Sequence, residues 1–509
     1  MALILLAVFL ASYITMILVW EDFADYDNDF FMLFPLKGYY IPLSIWPENG
    51  RFFPFSMQEF NLIRHFTNTP TGYYLLPVAQ LLVFFCILLI LDAELSIAAR
   101  AGLAILALLT PSVLISFGGL LYEERDEIFL LACLVLSVKQ FEKTKAVGWA
   151  VAAVVCAQIM LYSKETAFLL LLGFAGVRLI LRCTNRQHAA SDYERLWDQE
   201  SRLDLCLATL AVLFLLSYFA VMGIHGNIDY ATKVRHPMAE VVLDYLRLDL
   251  LVWLFVAVAL SRIYLILRRR TVPWLLWDGL ALGGVAYFLA YLYLGMFQAY
   301  YLAPVDLIAV LYVGRFVLLS WKHTQSLTKV AAVMLAFAVV LQDVSLSSFA
   351  TFERKNNIHA KVAIASVVEA RYRNGIGNVP NLFFPFARPY PIMEFVVYLN
   401  YRGVPINSVA LTKGGIGKDD RCVDYRSIRC RPASEPTTGD LVVVLPDDEA
   451  SLADALVYRK RGQLLFSYQP RPAIPHWLYP FVGSFVLASD IYNHTRPDRW
   501  MDASVTLWK

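Results

Sequence analysis

The sequence predicts a polytopic α-helical membrane protein of about eleven transmembrane helices that ends in an extracytoplasmic α/β domain. Three observations predict it: a series of apolar runs, a one-sided distribution of Lys and Arg between them, and a polar tail in which strand and helix patterns alternate. Of the 509 residues, 58% are hydrophobic and 17% charged, with a mean hydropathy of +0.54. A soluble domain carries about 25% charged residues, so much of this chain belongs in lipid. Runs long enough to cross a bilayer, about 17–25 residues, fall near 2–20, 73–91, 101–119, 146–162, 166–181, 203–222, 249–267, 273–294, 302–319 and 329–346. An eleventh, 127–139, reaches spanning length when Tyr122 to Asp126 form its outer turn. The first run has no basic flank and no small-residue cleavage site before Glu21, and is expected to be a retained anchor.

Orientation follows from the basic residues of the connections. With a cytoplasmic N-terminus, the inside loops 92–100, 139–145, 178–202, 261–270 and 320–329 hold 15 Lys and Arg in 61 residues. The outside loops 21–72, 119–127, 162–166, 223–248 and 295–302 hold 8 in 100. Residues 348–509 are then periplasmic, and residues 1–347 form the membrane domain with the long first exterior loop 21–72. Five of the seven cysteines (Cys86, Cys133, Cys156, Cys183, Cys206) lie in or at the ends of apolar runs, where a thiol acts as a small hydrophobe. Cys422 and Cys430 share the polar tail and are disulfide candidates, in a compartment where such a bond persists. A net charge of +2 gives no reason to expect nucleic acid.

The tail reads as a modest sheet with covering helices. Ile358 to Arg373 has a helical pattern that Asn374-Gly375 stops. Ile392 to Tyr401 and Ser451 to Arg461 read as helices, and Leu441 to Leu445 and Gln463 to Tyr468 as strands. Gly414-Gly415-Ile416-Gly417 follows no clear strand and is expected to be a loop. No internal repeat, Walker pattern or nucleophile elbow stands out.

The first exterior loop carries the most chemistry. It opens with Glu21-Asp22, then Asp25, Asp27 and Asp29, five carboxylates within nine residues at a membrane surface. Such a cluster reads as a solvated acidic loop, or as a carboxylate placed to take a proton from an acceptor hydroxyl. The rigid aromatic turn Trp46 to Pro54 follows, with one cation, Arg51. Ser56 to Phe66 has Met57, Phe60, Ile63 and Phe66 every third residue and reads as a helix lying flat in the interface. Further ionisable residues stand at outer span ends. Glu123, Glu124, Arg125, Asp126 and Glu127 precede the short span, and Ser163-Lys164-Glu165-Thr166 fills a turn between two apolar runs. Charges at membrane depth are costly and have partners or a function; Lys164 and Glu165 either pair with each other or serve a site. The next long outside loop supplies His225, Lys233, Arg235 and His236, cations that suit a lipid phosphate, followed by an amphipathic stretch with Met238, Val241, Val242 and Tyr245 on one face.

On these features the chain resembles the GT-C superfamily of integral membrane glycosyltransferases over about residues 1–345. Glu21-Asp22 stands at that superfamily's acidic-motif position after the first span, and Glu123 to Glu127 at its second-loop position. Leu161-Tyr162-Ser163-Lys164-Glu165-Thr166 is similar to a Lys-Glu turn of several branches. Ala299-Tyr300-Tyr301-Leu302-Ala303-Pro304 looks like an Arg-Tyr-x-x-Pro stretch, with Gln298 and Ala299 where a basic residue is common. The resemblance implies an inverting glycosyltransferase of the inner membrane that moves a sugar from a polyprenyl-phosphate donor to an envelope glycan, lipid or protein. It implies Asp22 as general base with Glu21 and Glu124 nearby. It also implies contacts to the donor phosphate and lipid from Arg51, Lys164, Glu165, Lys233, Arg235, His236 and Tyr301. Acidic clusters of this kind can also bind Mg²⁺ or Mn²⁺ through oxygen ligands. Trp477 and Tyr479 are candidate sugar platforms or core residues. Competing expectations are a lipid-linked-glycan polymerase or ligase, which usually lacks a terminal α/β domain, a transporter or flippase, which would show paired halves or broken helices, and an envelope scaffold.

Overall fold

A helix stands at each of the eleven apolar runs in the computed structural model of the chain. The structure describes residues 2–19, 21–25, 28–47, 50–185, 198–225, 236–321, 325–375, 379–385, 389–411, 429–445, 452–468 and 503–508. Among the described residues, six helices are long and apolar enough to cross a membrane: Pro70–Leu91, Gln199–Gly223, Leu250–Leu267, Leu275–Leu294, Ala299–Ser320 and Lys329–Ser348. A seventh span results if Ile97–Leu109 and Pro111–Gly118 count as one. Three of the other four runs fall outside that count for identifiable reasons. Leu6–Val19 and Val147–Ser163 are apolar but shorter, and Glu123–Thr144 opens with five charged residues.

Local sequence sets the helix ends. The Ser96 hydroxyl accepts from the Ala99 N–H at 3.2 Å and caps Ile97–Leu109. Thr110 before Pro111 is extended at ψ 139°, as expected ahead of a ring that disfavours the helical region. The helix restarts there with a 70° bend. Gly295, at φ +66°, closes Leu275–Leu294 in the left-handed conformation. The interfacial helix is shorter than the sequence suggested, Gln58–Ile63 in place of Ser56 to Phe66. Met57 holds a left-handed φ of +62°, so the helix cannot start before it. The expected stripe is divided, with Phe60 fully buried and Phe66 78% exposed.

The chain divides into two compact units. The first comprises Met1–Ile17, Pro42–Glu59 and Tyr74–Ser347. Within it Ala167–Asn185 packs along Leu275–Leu294 and Gln199–His225, and Glu123–Thr144 along Val147–Ser163. One close crossing is built from glycines. A Cβ added at Gly283 would stand 2.6 Å from the Leu170 carbonyl oxygen, and one at Gly173 would stand 2.7 Å from the Gly283 Cα. Gly279 and Gly283 form a Gly-x-x-x-Gly face, the small-residue contact that lets membrane helices approach without a hydrophobic driving force. Gly283→Val is expected to lower stability by about 1–3 kcal/mol, read as a lower thermal midpoint of the purified protein in detergent.

At the ends that the charge bias assigns to the cytoplasm, several basic residues are held in ion pairs. Arg178 reaches Asp204 at 2.8 Å and Glu142 at 2.7 Å, Arg182 reaches Asp204 at 3.0 Å, and Arg262 grips Asp278 at 2.9 Å. Arg178 and Arg262 therefore lie inside helices, although their numbers place them among the inside loops.

The second unit comprises Leu18–Ile41, Phe60–Tyr73 and Ser348–Lys509. Two segments of the first exterior loop thus belong with the tail, where the sequence placed one boundary at 347. The tail sheet has strands β3 (Asn381–Phe384), β4 (Ser408–Leu411), β5 (Arg429–Pro432), β6 (Leu441–Val444), β7 (Gln463–Tyr468) and β8 (Ala503–Leu507), numbered after the small exterior-loop hairpin β1 (Ile45–Trp46) and β2 (Arg51–Phe52). Their order is β5-β4-β3-β6-β8-β7, parallel from β5 to β6 and antiparallel beyond. The helix Pro389–Tyr401 makes the crossover between parallel β3 and β4, and the buried side chains of Phe383, Ala410 and Val442 form the core of the sheet. The expected helix from Ile358 is continuous with the last span in one helix, Ser326–Arg373. Its intervening residues keep a helix-forming composition with no Gly or Pro to break it.

Candidate active site

Asp22 lies in the second unit, three residues beyond Val19 at the end of the first helix, and it is half-buried. Its Oδ1 accepts from the Ala24 N–H at 2.8 Å, and Asn28 Nδ2 donates to its carbonyl at 3.3 Å. This turn fixes the backbone under the carboxylate. Tyr398 and Arg402 act on the carboxylate electrostatically, the first through its hydroxyl and the second as a cation. Burial is the larger influence and raises the Asp22 carboxyl above its ordinary value, while the amide, the hydroxyl and the guanidinium oppose it.

The loop around Asp22 is fixed by rings. Phe23 packs edge-on against Tyr73 and against Tyr401, each with centroids 5.5 Å apart. Phe31 packs edge-on against Phe60 at 4.7 Å, and Phe60 stacks on Tyr73 at 5.7 Å. Such pairs contribute about 0.5–1.5 kcal/mol each beyond area burial. Of the other acids, Glu21 accepts from the Thr71 hydroxyl and Asp25 pairs with Arg354. Asp27 and the Asp29 side chain lie outside the described residues. Among the described residues no group of three or more His, Cys, Asp or Glu is placed to hold a metal ion.

The first unit holds a second charged constellation. Lys164 is buried at the end of Val147–Ser163, its Nζ 2.6 Å from Glu124 Oε1 and 3.6 Å from Glu123 Oε2. The ammonium stands 5.2 Å from the centroid of the Tyr301 ring, which stacks on Tyr291 at 5.0 Å. One turn further along Glu123–Thr144, Glu127 Oε2 accepts from the Tyr287 hydroxyl at 2.9 Å, and Thr166 Oγ1 donates to the Tyr287 oxygen at 3.1 Å. Arg51 Nε meets Glu165 Oε1 at 2.7 Å, and the Phe52 N–H donates to the same oxygen at 3.2 Å. The Tyr287→Phe variant leaves the Glu127 oxygen without its donor. A loss of about 1–3 kcal/mol in stability is expected from that unpaired buried carboxylate, read by thermal melting.

The structure thus joins Glu124, Lys164 and Tyr301 in one cluster and Arg51 with Glu165 in another. Lys164 and Glu165 part, each to a different partner. The His236 backbone N–H donates to the Gly295 carbonyl at 2.8 Å and the residue is exposed. Lys233, Arg235, Cys422, Trp477, Tyr479 and residues 414–417 lie outside the described residues, as does the side chain of Cys430, whose backbone is in β5. The five other cysteines are free thiols.

Sequence reasoning missed Tyr398 and Arg402, which nothing local connects to the first loop. It also missed Tyr287 and Tyr291, the partners of Glu127 and Thr166. Asp306, in the first turn of Ala303–Ser320 and accepting from the Ser112 hydroxyl, was legible as an acid opening an apolar run.

No family model and no curated protein sequence matches the chain. In structure it is similar to ArnT from Cupriavidus metallidurans bound to undecaprenyl phosphate, at 13% identity and a TM-score of 0.45, over 98% of this chain and 97% of that one. The apo state of the same protein gives 11% identity and a TM-score of 0.42 over the same shares. An oligosaccharyltransferase from Archaeoglobus fulgidus, tethered with an acceptor peptide, is similar at 10% identity and a TM-score of 0.43, over 77% of this chain and 63% of that one. The likeness concerns the course of the chain.

Proposed function

We propose that the protein is an inverting membrane glycosyltransferase that moves a sugar from a polyprenyl-phosphate donor to an acceptor hydroxyl on the outer side of the cytoplasmic membrane. The observation that carries the reading is Asp22. A half-buried carboxylate directly after an apolar helix is held by its own turn, and burial raises it above the ordinary value. Outside the cytoplasm no nucleotide sugar is available, so an activated sugar must arrive on a lipid. The Asp22 carboxylate takes the proton of the acceptor hydroxyl as its oxygen bonds to the anomeric carbon. The anomeric carbon–oxygen bond to phosphate breaks, its electron pair leaves with polyprenyl phosphate, and the configuration inverts.

The test is transfer of radiolabelled sugar from a panel of polyprenyl-phosphate donors to membrane glycans by the purified protein. Transfer that requires Asp22 supports the reading. Absence of transfer from every donor, with lipid-linked glycan crossing proteoliposomes, would make the protein a transporter.

A further inference from the structure

The outer end of Glu123–Thr144 carries one carboxyl that the ion pairs leave over. Glu123 and Glu124 share the Lys164 ammonium, at 3.6 and 2.6 Å, and Asp126 meets Arg125 at 3.2 Å. Glu127 is fully buried, yet among the described residues no ammonium or guanidinium lies within ion-pair distance of it. Its Oε1 has no hydrogen-bond partner there either. Its Oε2 ends a chain of hydroxyls. Tyr287 donates to it at 2.9 Å, and a phenol has one hydrogen, so the Tyr287 oxygen can only accept from Thr166 Oγ1, 3.1 Å away. Thr166 has then spent its own hydrogen, and the Tyr291 hydroxyl at 3.2 Å must donate to Thr166. All three hydrogens point towards Glu127. Tyr287 and Tyr291 are buried, whereas Thr166 is half-buried, two residues after Lys164, at an end that the charge bias assigns to the outside.

We propose that Glu127 is a proton-binding site of the membrane unit, loaded from the Thr166 end through Tyr287. Ionisable groups at membrane depth have partners or a function, and Glu127 has no charged partner. With Glu123, Glu124 and Glu127 all ionised against Lys164, negative charge is left in excess, which an apolar surrounding penalises. A proton on Glu127 removes one of those charges and leaves the Lys164–Glu124 pair intact. The transfer is a shift along the chain. A hydronium gives its proton to the Thr166 oxygen, the Thr166 hydrogen passes to Tyr287, and the Tyr287 hydrogen passes to Glu127 Oε2. Each step breaks one O–H bond and forms another, so that one hydronium becomes water and one carboxylate becomes a carboxyl. The charged and titratable groups that face Glu127 are Glu123 and Glu124 on its own helix, Lys164 from the end of Val147–Ser163, and Tyr287 and Tyr291 from Leu275–Leu294. The site is separate from Asp22, which belongs to the other unit.

Infrared spectroscopy of the full chain in detergent reads this proton directly, through the C=O stretch of a protonated carboxyl, and requires no turnover. At mildly acidic pH a band is expected that is lost in Glu127→Gln. The same band is expected to shift to higher frequency in Tyr287→Phe, which keeps the carboxyl and removes its donor should Glu127→Gln fail to fold. On transfer to D₂O the band is expected to downshift in a fast phase as the carboxyl exchanges its hydrogen. Thr166→Val keeps the shape of the side chain and deletes the hydroxyl, and it should lose that fast phase while keeping the band. Glu127→Gln with every carboxyl band retained, or Tyr287→Phe with none shifted, overturns the proton site. Thr166→Val that exchanges as fast as the wild type overturns the route.

Discussion

Asp22→Asn is expected to reduce sugar transfer by about 10²- to 10⁴-fold, the usual contribution of a positioned general base. The amide keeps the size of the side chain and can keep the 2.8 Å bond from the Ala24 N–H through its remaining oxygen, so the fold should survive and the melting midpoint should stay near wild type. A base works only when deprotonated, so turnover falls as pH drops through the pKa of Asp22. Because burial raises that pKa, the acid limb of the rate profile should lie above the value of about 3.9 for an exposed aspartate. An acid limb at the ordinary aspartate value, or an Asp22→Asn protein with full turnover, would move the base elsewhere in the loop. Asp25→Asn is the comparison to run beside it, because Asp25 is already engaged by Arg354.

Lys164→Met is expected to be the most destabilising change in the membrane unit, at about 3–5 kcal/mol, as for other buried pairs that lose one partner. Lys164 and Glu124 are 4% and 0% exposed. Removing the ammonium leaves Glu124 and Glu123 facing each other with no compensating charge. Glu124→Gln alone should also cost stability, because the cation then keeps only the more distant Glu123. The double variant Lys164→Met with Glu124→Gln should recover most of the loss, since it removes both charges. Thermal melting of the four proteins in one detergent measures this cycle. A double variant no more stable than Lys164→Met would mean that the lysine acts through packing against Tyr301 and not through charge.

The helical half was legible because each apolar run carries its own signal. The bilayer length requirement and the 3.6-residue repeat act locally, so 73–91, 249–267 and 273–294 reappear as helices with similar ends. In the tail, Gln463–Tyr468 and the helix ending at Arg461 were readable from period and caps. Strands β3, β4 and β8 were not, because they lack the unbroken run of β-branched residues that marked the equally short β6. Met57 shortened the interfacial helix through one backbone angle that its residue type does not announce.

The sequence by itself determined the membrane class, the positions of the helices, the acidic stretch after the first of them and the charged helix ends that include Glu124 and Lys164. Those follow from composition and spacing, which each segment expresses alone. Tertiary structure alone decided the partners: that Lys164 pairs with Glu124 and Glu165 with Arg51, that Gly173 meets Gly283, and that Phe23 packs against Tyr401. Pairing energy depends on distances of a few ångströms between residues far apart in the chain, and those distances are set only when the segments pack.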